Sequence, residues 1–146
     1  MVALPKVSIE TDIHKNFCFG CGEHNPIGLK LKFRLEEGIL KAEIKPEKVF
    51  QGWPGLVHGG ILALILDEAM NNVGFLNGIT CITATMNIRL RQPVKVEQTL
   101  DVTARITRQT RKLLESRAEI SLKDGTVVAE GHSKQFIIEE SALAKK

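Results

Sequence analysis

A single helix among long stretches of alternating apolar and polar residues constrains the fold of this chain more than any other feature. Alternation with a period of two, typical of half-buried strands, covers residues 29–36, 39–44, 80–94, 98–112, 113–123 and 125–138. Between these groups, residues 58–76 read as one helix that ends at Asn77-Gly78. Runs of strands with one helix predict an α+β domain in which the helix packs on one face of an antiparallel sheet.

Turn signals place two hairpins in this sheet. Glu37-Gly38 separates the first two strands, and Asp124-Gly125 separates the last two. The earlier segment 12–29 is dense in Gly, Cys, His, Asn and Pro, and reads as an ordered loop. We expect one domain over residues 1–146, with 1–28 as an N-terminal loop segment and 140–146 as a frayed tail.

The composition argues against several classes of partner. A net charge of +3 with one Trp and no Tyr does not suit nucleic-acid binding, although it is compatible with an anionic small ligand. The longest strictly apolar run, 61–66, is far shorter than the roughly 20 residues that a membrane-spanning helix needs. The N-terminus does not resemble a signal peptide, and three cysteines do not make a disulfide framework, so we expect a cytoplasmic protein.

The predicted helix has two different faces when its residues are placed at 100° intervals. One apolar stripe should pack on the sheet, and it consists of Leu62, Ile65, Leu66, Ala69 and Val73. The opposite side combines small and polar residues, namely Ala63, Leu64, Asp67, Met70, Asn71 and Gly74. Such a face suits the close approach of another element and the lining of a cleft.

Asp67 and Glu68 directly follow six consecutive apolar residues. A solvated acidic patch is the simplest reading of such a pair, but both acids lie past the first helical turn, where the helix dipole does not explain them. The helix begins with Gly59-Gly60, whose backbone N–H groups can approach a ligand oxygen closely. Together these groups suggest acyl transfer to water: the amides stabilise an oxyanion, and a carboxylate activates water or attacks the carbonyl itself.

The spacing of these groups points to a site made by two chains. Gly59 and Asp67 are eight residues apart. Along one helix that is about 12 Å at 1.5 Å per residue, so one substrate carbonyl cannot touch both. We therefore expect two helices to run antiparallel across a dimer interface. Self-association would also cover the apolar surface that a long sheet with one helix leaves exposed.

Three motifs carry a resemblance to a known family: FQGWPGLVHGGILALILDEAM at 50–70, TATMNIRLRQPV at 83–94, and CFGCGEHNPIGLKLKF at 18–33. Together they resemble the hotdog-fold acyl-CoA thioesterases, in the branch that includes phenylacetyl-CoA-type thioesterases. In that family an acidic residue follows the His of His-Gly-Gly by nine positions, as Asp67 follows His58. The resemblance covers roughly residues 17–138. It implies a long helix wrapped by a curved antiparallel sheet, acyl-CoA as substrate, no catalytic cofactor, and a homodimer or homotetramer with active sites between subunits.

The resemblance also implies roles for particular residues. Asp67 would be the nucleophile or general base, the Gly59 N–H the oxyanion donor, and Gly60 part of the substrate-binding backbone. His58 would orient the loop or the carbonyl, although it could equally be a helix N-cap. Thr83 would help to hold the water or Asp67.

Gln51 and Glu68 are two further positions near the predicted site. Many relatives have Asn or Gln six or seven positions before the His, and Gln51 is the matching residue here, followed by Gly52. Glu68 is expected to be structural, because its direction from the helix axis differs from that of Asp67 by 100°.

Arg89 and Arg91 alternate on one face of the strand that follows the helix. They could bind the phosphates of coenzyme A, or they could simply be solvated residues that protect a sheet face or edge.

The loop offers four soft metal ligands at close spacing, in the order His14, Cys18, Cys21 and His24. Tetrahedral zinc accepts such a set as a structural site. Alternatively, the two cysteines pack a tight glycine turn as small apolar side chains.

Two other functions remain open from the sequence. A hotdog hydratase or dehydratase would place a His base in the loop and an acid on the helix, as PGLVHGG superficially does. A non-catalytic acyl-CoA-binding module would keep the cleft without turnover. The Gly-Gly after His58 and the spacing to Asp67 favour hydrolysis.

Overall fold

The computed structural model describes residues 9, 11–12 and 16–138, so the predictions for His14 and for the tail 140–146 lie outside the described residues. The described chain forms β1 (Arg34–Glu36), β2 (Ile39–Ile44), α1 (Gly59–Phe75), β3 (Cys81–Leu90), β4 (Leu100–Gln109), β5 (Leu113–Leu122) and β6 (Val127–Ile137). A short 3₁₀ turn, Lys48–Phe50, precedes α1. The α+β prediction is confirmed.

The strands form one antiparallel sheet in the order β1-β2-β4-β5-β6-β3. Strand β3 directly follows the helix, yet it lies at the far edge of the sheet and pairs with β6. The curved sheet wraps one helix, which contacts every strand from β2 to β6. This arrangement encloses one apolar core between α1 and the concave face of the sheet.

Helix α1 has the ends that the sequence predicts. His58 is the N-cap and Leu76 the C-cap. Gly78 has φ +82°, the left-handed conformation that ends many helices, and the N–H of Ile79 bonds the carbonyl of Gly74 at 2.9 Å.

The apolar stripe of α1 is buried as predicted, at Leu62, Ile65, Leu66, Ala69 and Val73. Met70, expected on the opposite face and outside the core, is instead buried in it. Gly74 on that face is also buried, where it allows the close approach of another element. A Cβ on Gly74 would lie 2.8 Å from Cδ2 of Leu114 on β5. The sheet curves around the helix and therefore covers a wider arc than a single stripe.

The first predicted strand is shorter than its alternation suggests. Only Arg34–Glu36 joins the sheet, and Lys30 has φ +54°, which interrupts an extended strand. Leu29 and Leu31 are nevertheless buried, as the alternation requires. Their N–H groups bond the carbonyls of Phe19 and Gly20 in the N-terminal loop, so this segment holds the loop rather than a neighbouring strand.

Both predicted hairpin turns are present. Glu37 and Gly38 have φ of +50° and +81°, the pair of left-handed residues typical of a two-residue hairpin turn. In the second turn, Gly125 has φ +92° and Asp124 Oδ1 accepts a hydrogen bond from the N–H of Thr126 at 2.9 Å.

Candidate active site

The start of α1 is built by the loop that precedes it. The backbone of Gln51 bridges that of Val57, and the N–H of His58 donates to the carbonyl of Phe50 at 2.9 Å. The side chain of His58 then caps the helix, because its Nδ1 accepts the N–H of Gly60 at 2.9 Å. A neutral imidazole that accepts at Nδ1 carries its proton at Nε2, so His58 offers an N–H donor on its exposed side.

Gly59 occupies the first position of the helix, where a backbone N–H has no partner within the helix. Within residues 16–138, no hydrogen bond engages this N–H. Gly59 lines a groove of about 840 Å³ whose other walls include Gln51, Trp53, Leu90 and residues 91–94. The N–H of Gly60, by contrast, is engaged by His58. The glycine pair therefore presents one available amide.

Asp67 lies two turns further along the helix and is half-buried. The hydroxyl of Thr83 on β3 donates to its Oδ1 at 2.8 Å. Asp67 does not line the groove at Gly59. The structure thus brings Asp67 and Thr83 together and keeps both away from the amide on the same chain.

Gln51 is held by the turn that precedes the helix. Its Oε1 accepts the N–H of Gly55 at 3.1 Å, and Gly55 has φ +84°. Gln51 and His58 both line the groove at Gly59 and a second cavity of about 850 Å³, whose other walls include residues 26–30 and 44–47. They therefore lie between two spaces that a ligand could enter.

The two arginines differ in their surroundings. Arg91 makes a bidentate ion pair with Glu130, with Nε to Oε2 at 3.1 Å and Nη2 to Oε1 at 2.9 Å. The hydrogen bond from Arg91 lowers the pKa of the Glu130 carboxyl. Arg89 is exposed on β3 and forms no salt bridge within the described part of the chain.

Glu68 contacts the N-terminal loop, whereas Asp67 contacts strand β3. Its Oε1 accepts the thiol of Cys18 at 3.2 Å, and its Oε2 accepts the side-chain amide of Asn72 at 3.2 Å. A Cβ on Gly20 would lie 2.1 Å from Cγ of Glu68, so only glycine allows the loop to approach this closely. Burial and the nearby Glu68 carboxylate raise the pKa of the Cys21 thiol to about 12.

The predicted zinc set is only partly testable, because His14 lies outside the described residues. Within those residues Cys18 and Cys21 lie together, and the potential ligand grouped with them is Glu68. His24 is exposed and stands outside this group. Sequence spacing missed Glu68 because that residue joins the loop only through the fold.

A buried polar network was also missed. Ser116 on β5 contacts Ser133 and Gln135 on β6 at 3.1 and 3.0 Å, and its hydroxyl lies 3.1 Å from the carbonyl of Met70. These residues hold the helical turn that follows Asp67 against the sheet. Polar residues at inward-facing strand positions were the available signal.

Within the described residues, no helix is both long enough and apolar enough to cross a membrane.

Residues 54–129, just over half of the chain, match the sequence profile of the thioesterase superfamily. A human protein, acyl-coenzyme A thioesterase THEM5, is 36% identical over 53 residues, which is 36% of this chain. The match spans only 22% of the length of that relative.

Solved structures of thioesterases have the same hotdog fold. One is a hypothetical thioesterase protein of Streptococcus pneumoniae with coenzyme A, with a TM-score of 0.70, 18% identity, and coverage of 74% of this chain and 85% of that one. Two further structures of that protein carry a Thr to Ala and an Asp to Ala substitution, at positions sixteen residues apart. Another is a phenylacetic acid degradation-related protein, described as a putative thioesterase, of Ralstonia eutropha, with a TM-score of 0.66, 24% identity, and coverage of 74% and 85%.

Proposed function

We propose, since the chain belongs to the thioesterase superfamily over residues 54–129, that it is an enzyme that hydrolyses the thioester of an acyl-coenzyme A to a free acid and coenzyme A. The name of the human relative and the coenzyme A of the Streptococcus pneumoniae structure support this substrate class. The observation that carries the proposal is the hydrogen bond between Thr83 and Asp67, which orients a half-buried carboxylate on a helix whose first amide remains available.

The N-terminus of α1 would stabilise the oxyanion. The Gly59 N–H borders the groove, and the positive end of the helix dipole adds to its effect on a developing negative charge. The Nε2–H of His58 would hold or orient the same carbonyl, since Nδ1 is engaged by Gly60. Gln51 would line the approach of the substrate from the second cavity.

Asp67 would supply the proton acceptor or the nucleophile. Thr83 holds one carboxylate oxygen, and the other would take a proton from the attacking water or attack the carbonyl. In the first route the C–S bond then breaks, and the coenzyme A thiolate takes up the proton that Asp67 removed from water. In the second route the C–S bond breaks as Asp67 forms a mixed anhydride with the acyl group, the thiolate takes a proton from solvent, and water then hydrolyses the anhydride to the free acid and restores the carboxylate. Asp67 and Thr83 are sixteen residues apart, the same spacing as the substituted Asp and Thr of the Streptococcus pneumoniae protein.

One active site would combine two chains. Gly59 and Asp67 are about 12 Å apart along the helix, so the amide of one protomer would work with the carboxylate of a second. Strand β3, which carries Thr83, is an edge strand of ten residues with Met86 and Leu90 exposed. Pairing of this edge with its own copy about a two-fold axis would bring the helices together antiparallel. The smallest active unit is then a homodimer, alone or within a tetramer.

Arg89 would make the main contact with the coenzyme A phosphates. Arg91 lines the groove, but Glu130 already compensates its charge. Arg89 lies on β3, two residues earlier, without such a salt bridge among the described residues, so it would retain more of its attraction for phosphate.

The direct test is a hydrolysis panel of short, medium, long and aromatic acyl-coenzyme A substrates, with free thiol release as the readout. Turnover of at least one class is expected. Tight binding without turnover would identify a binding module, and hydration of an enoyl-coenzyme A without thioester cleavage would identify a hydratase. Either result would overturn the proposal.

A second experiment tests whether two chains form each site. Gly59→Pro removes the N–H at a helix position where proline is tolerated, and we expect a loss of about 10²–10³-fold in activity. Gly59→Ala is the matched variant, because it adds a Cβ but keeps the N–H, and should lose far less.

Mixing Gly59→Pro subunits with Asp67→Asn subunits should then restore activity. Random exchange makes half of the dimers mixed, each with one intact site of two, so about a quarter of wild-type activity is expected. If subunit exchange is demonstrated and no activity returns, both groups act within one chain.

A further inference from the structure

We propose that Cys18, Cys21 and Glu68 form a binding site for one divalent metal ion of the class that prefers thiolate ligands, with Zn²⁺ as the best-fitting example. The two sulfur atoms and a carboxylate oxygen all lie within 4.8 Å of one another. All three residues are half-buried, and they come from two segments about fifty residues apart. The site is separate from the groove at the start of α1, whose lining includes none of them.

The loop around the cysteines is shaped to hold sulfur atoms. The N–H of Gly20 donates to Cys18 Sγ at 3.3 Å, and the side-chain amide of Asn16 donates to Cys21 Sγ at 3.8 Å. Hydrogen bonds donated to the two sulfur atoms fix their positions, and partners of this kind orient metal ligands in known sites. Asn16 also accepts the N–H of Cys18 at 3.0 Å, which fixes the turn.

Glycine permits the close approach of the loop to the helix. A Cβ on Gly22 would lie 2.4 Å from the backbone nitrogen of Cys18, and a Cβ on Gly20 would meet the Glu68 side chain. The turn is therefore closed tightly around its two sulfur atoms while Glu68 approaches from α1.

The donor set fits a tetrahedral ion with one position left for water. Two thiolates and one carboxylate are ligands that zinc accepts, and the sulfur atoms disfavour Mg²⁺ and Ca²⁺. The three residues line one cavity of about 420 Å³, which has room for a water molecule as the fourth ligand. Binding would release the two thiol protons to solvent, and no oxidation or reduction is involved.

The metal would connect the N-terminal loop to the helix at the residue next to Asp67. The hydrogen bond from the Cys18 thiol to Glu68 is one of the contacts between the loop and α1. Replacing it by three metal–ligand bonds would fix the loop against α1 and stabilise the folded chain.

The test uses full-length protein, purified without chelator under a phosphine reductant, with metal content measured by mass spectrometry. Metal-free protein is then titrated with Zn²⁺ and with Co²⁺, whose thiolate complexes give an intense near-ultraviolet absorption. We expect one ion per chain. Glu68→Gln, Cys18→Ser and Cys21→Ser should each weaken affinity by at least about 100-fold, because loss of even an outer partner of a ligand can cost 10–100-fold.

His24→Ala is the matched control, since it removes a potential ligand from the same loop at an exposed position. It should bind the ion as the wild type does, and circular dichroism should show that every variant is folded. The proposal is overturned if wild-type protein binds no stoichiometric ion, if Glu68→Gln keeps full affinity, or if His24→Ala loses it. None of these readouts depends on thioesterase activity, so the proposal can fail independently of the proposed function.

Discussion

Asp67 and Glu68 are neighbours in sequence, but they lie in different parts of the molecule. Asp67 accepts a hydrogen bond from Thr83 on the edge strand β3. Glu68 accepts from Cys18 and Asn72 beneath the N-terminal loop. A rotation of 100° per residue separates the two side chains, and the fold covers each direction with a different segment.

The comparison shows how one helix can serve two purposes at adjacent positions. The side of Asp67 meets the hydroxyl of Thr83, which suits a group that acts on a ligand. The side of Glu68 is covered by a loop that approaches closely at Gly20 and leaves a cavity beside the two cysteines. The following four predictions test this difference.

The largest effect is expected from Asp67→Asn. Loss of the carboxylate should lower thioester hydrolysis at least about 100-fold, roughly 2.7 kcal/mol in the activation free energy, while the protein stays folded and associated. Steady-state kinetics with the best substrate of the panel provides the measurement. Asp124→Asn, in an exposed turn that also accepts Asn, makes the same chemical change as a control. Near-wild-type turnover of Asp67→Asn would remove Asp67 from the mechanism.

Thr83→Val tests the contact that distinguishes the Asp67 side. The substitution keeps the shape of Thr83 but deletes its hydrogen bond to Oδ1 of Asp67. A hydrogen bond to a charged group contributes about 1.5–3 kcal/mol, so we expect a loss of about 10–100-fold in kcat. Thr83→Ser keeps the hydroxyl and should therefore keep most of the wild-type kcat. Equal activities of the Val and Ser variants would show that the hydroxyl has no role in turnover.

Gly20→Ala tests the side of Glu68. The added Cβ would lie 2.1 Å from Cγ of Glu68, so the loop or the side chain must move, at a cost of about 1–3 kcal/mol in the free energy of unfolding. Urea denaturation measures this loss. In a Glu68→Ala background the clash is absent and the same substitution should cost clearly less. An identical cost in both backgrounds would mean that Glu68 is not what excludes a side chain at residue 20.

Asn72→Ala should give the smallest effect. Its side-chain amide donates to the carbonyl and to Oε2 of Glu68, at 2.8 and 3.2 Å. The matched variant is Asn71→Ala, because the side chain of Asn71 makes no hydrogen bond within residues 16–138. We expect Asn72→Ala to lower the free energy of unfolding by about 1 kcal/mol more than Asn71→Ala does. The two substitutions share the same change in helix propensity, so thermal unfolding of the pair isolates the contacts of Asn72. A loss in Asn71→Ala equal to that in Asn72→Ala would contradict the assignment.

Much of the fold could be predicted from local patterns. The helix limits followed from His58 and Gly78, and the hairpins from Glu37-Gly38 and Asp124-Gly125. Predictions failed where the burial of a residue depends on distant segments. Met70 is buried because the sheet curves around the helix, and residues 29–33 leave the sheet because they bond the N-terminal loop.

The predicted site residues show the same division. Periodicity alone separated Asp67 from Glu68, and the spacing from Gly59 to Asp67 predicted that, if both act on one carbonyl, they belong to different chains. The sequence left His58 as either a helix N-cap or a group that orients the loop or the carbonyl, and the structure shows the N-cap contact, in which Nδ1 accepts the N–H of Gly60. Replacement of His24 by Glu68 beside the two cysteines needed the packing of the loop on the helix.

The sequence by itself therefore determined the order of the elements, the ends of the helix and the direction in which each helical side chain points, because these depend on nearest neighbours along the chain. The resemblance left Thr83 beside either the water or Asp67, and only the tertiary structure shows that its hydroxyl meets Asp67 and that the cysteine loop meets Glu68. Those contacts join segments sixteen and fifty residues apart. Such pairings arise from how the sheet closes around the helix, and no local pattern along the chain encodes them.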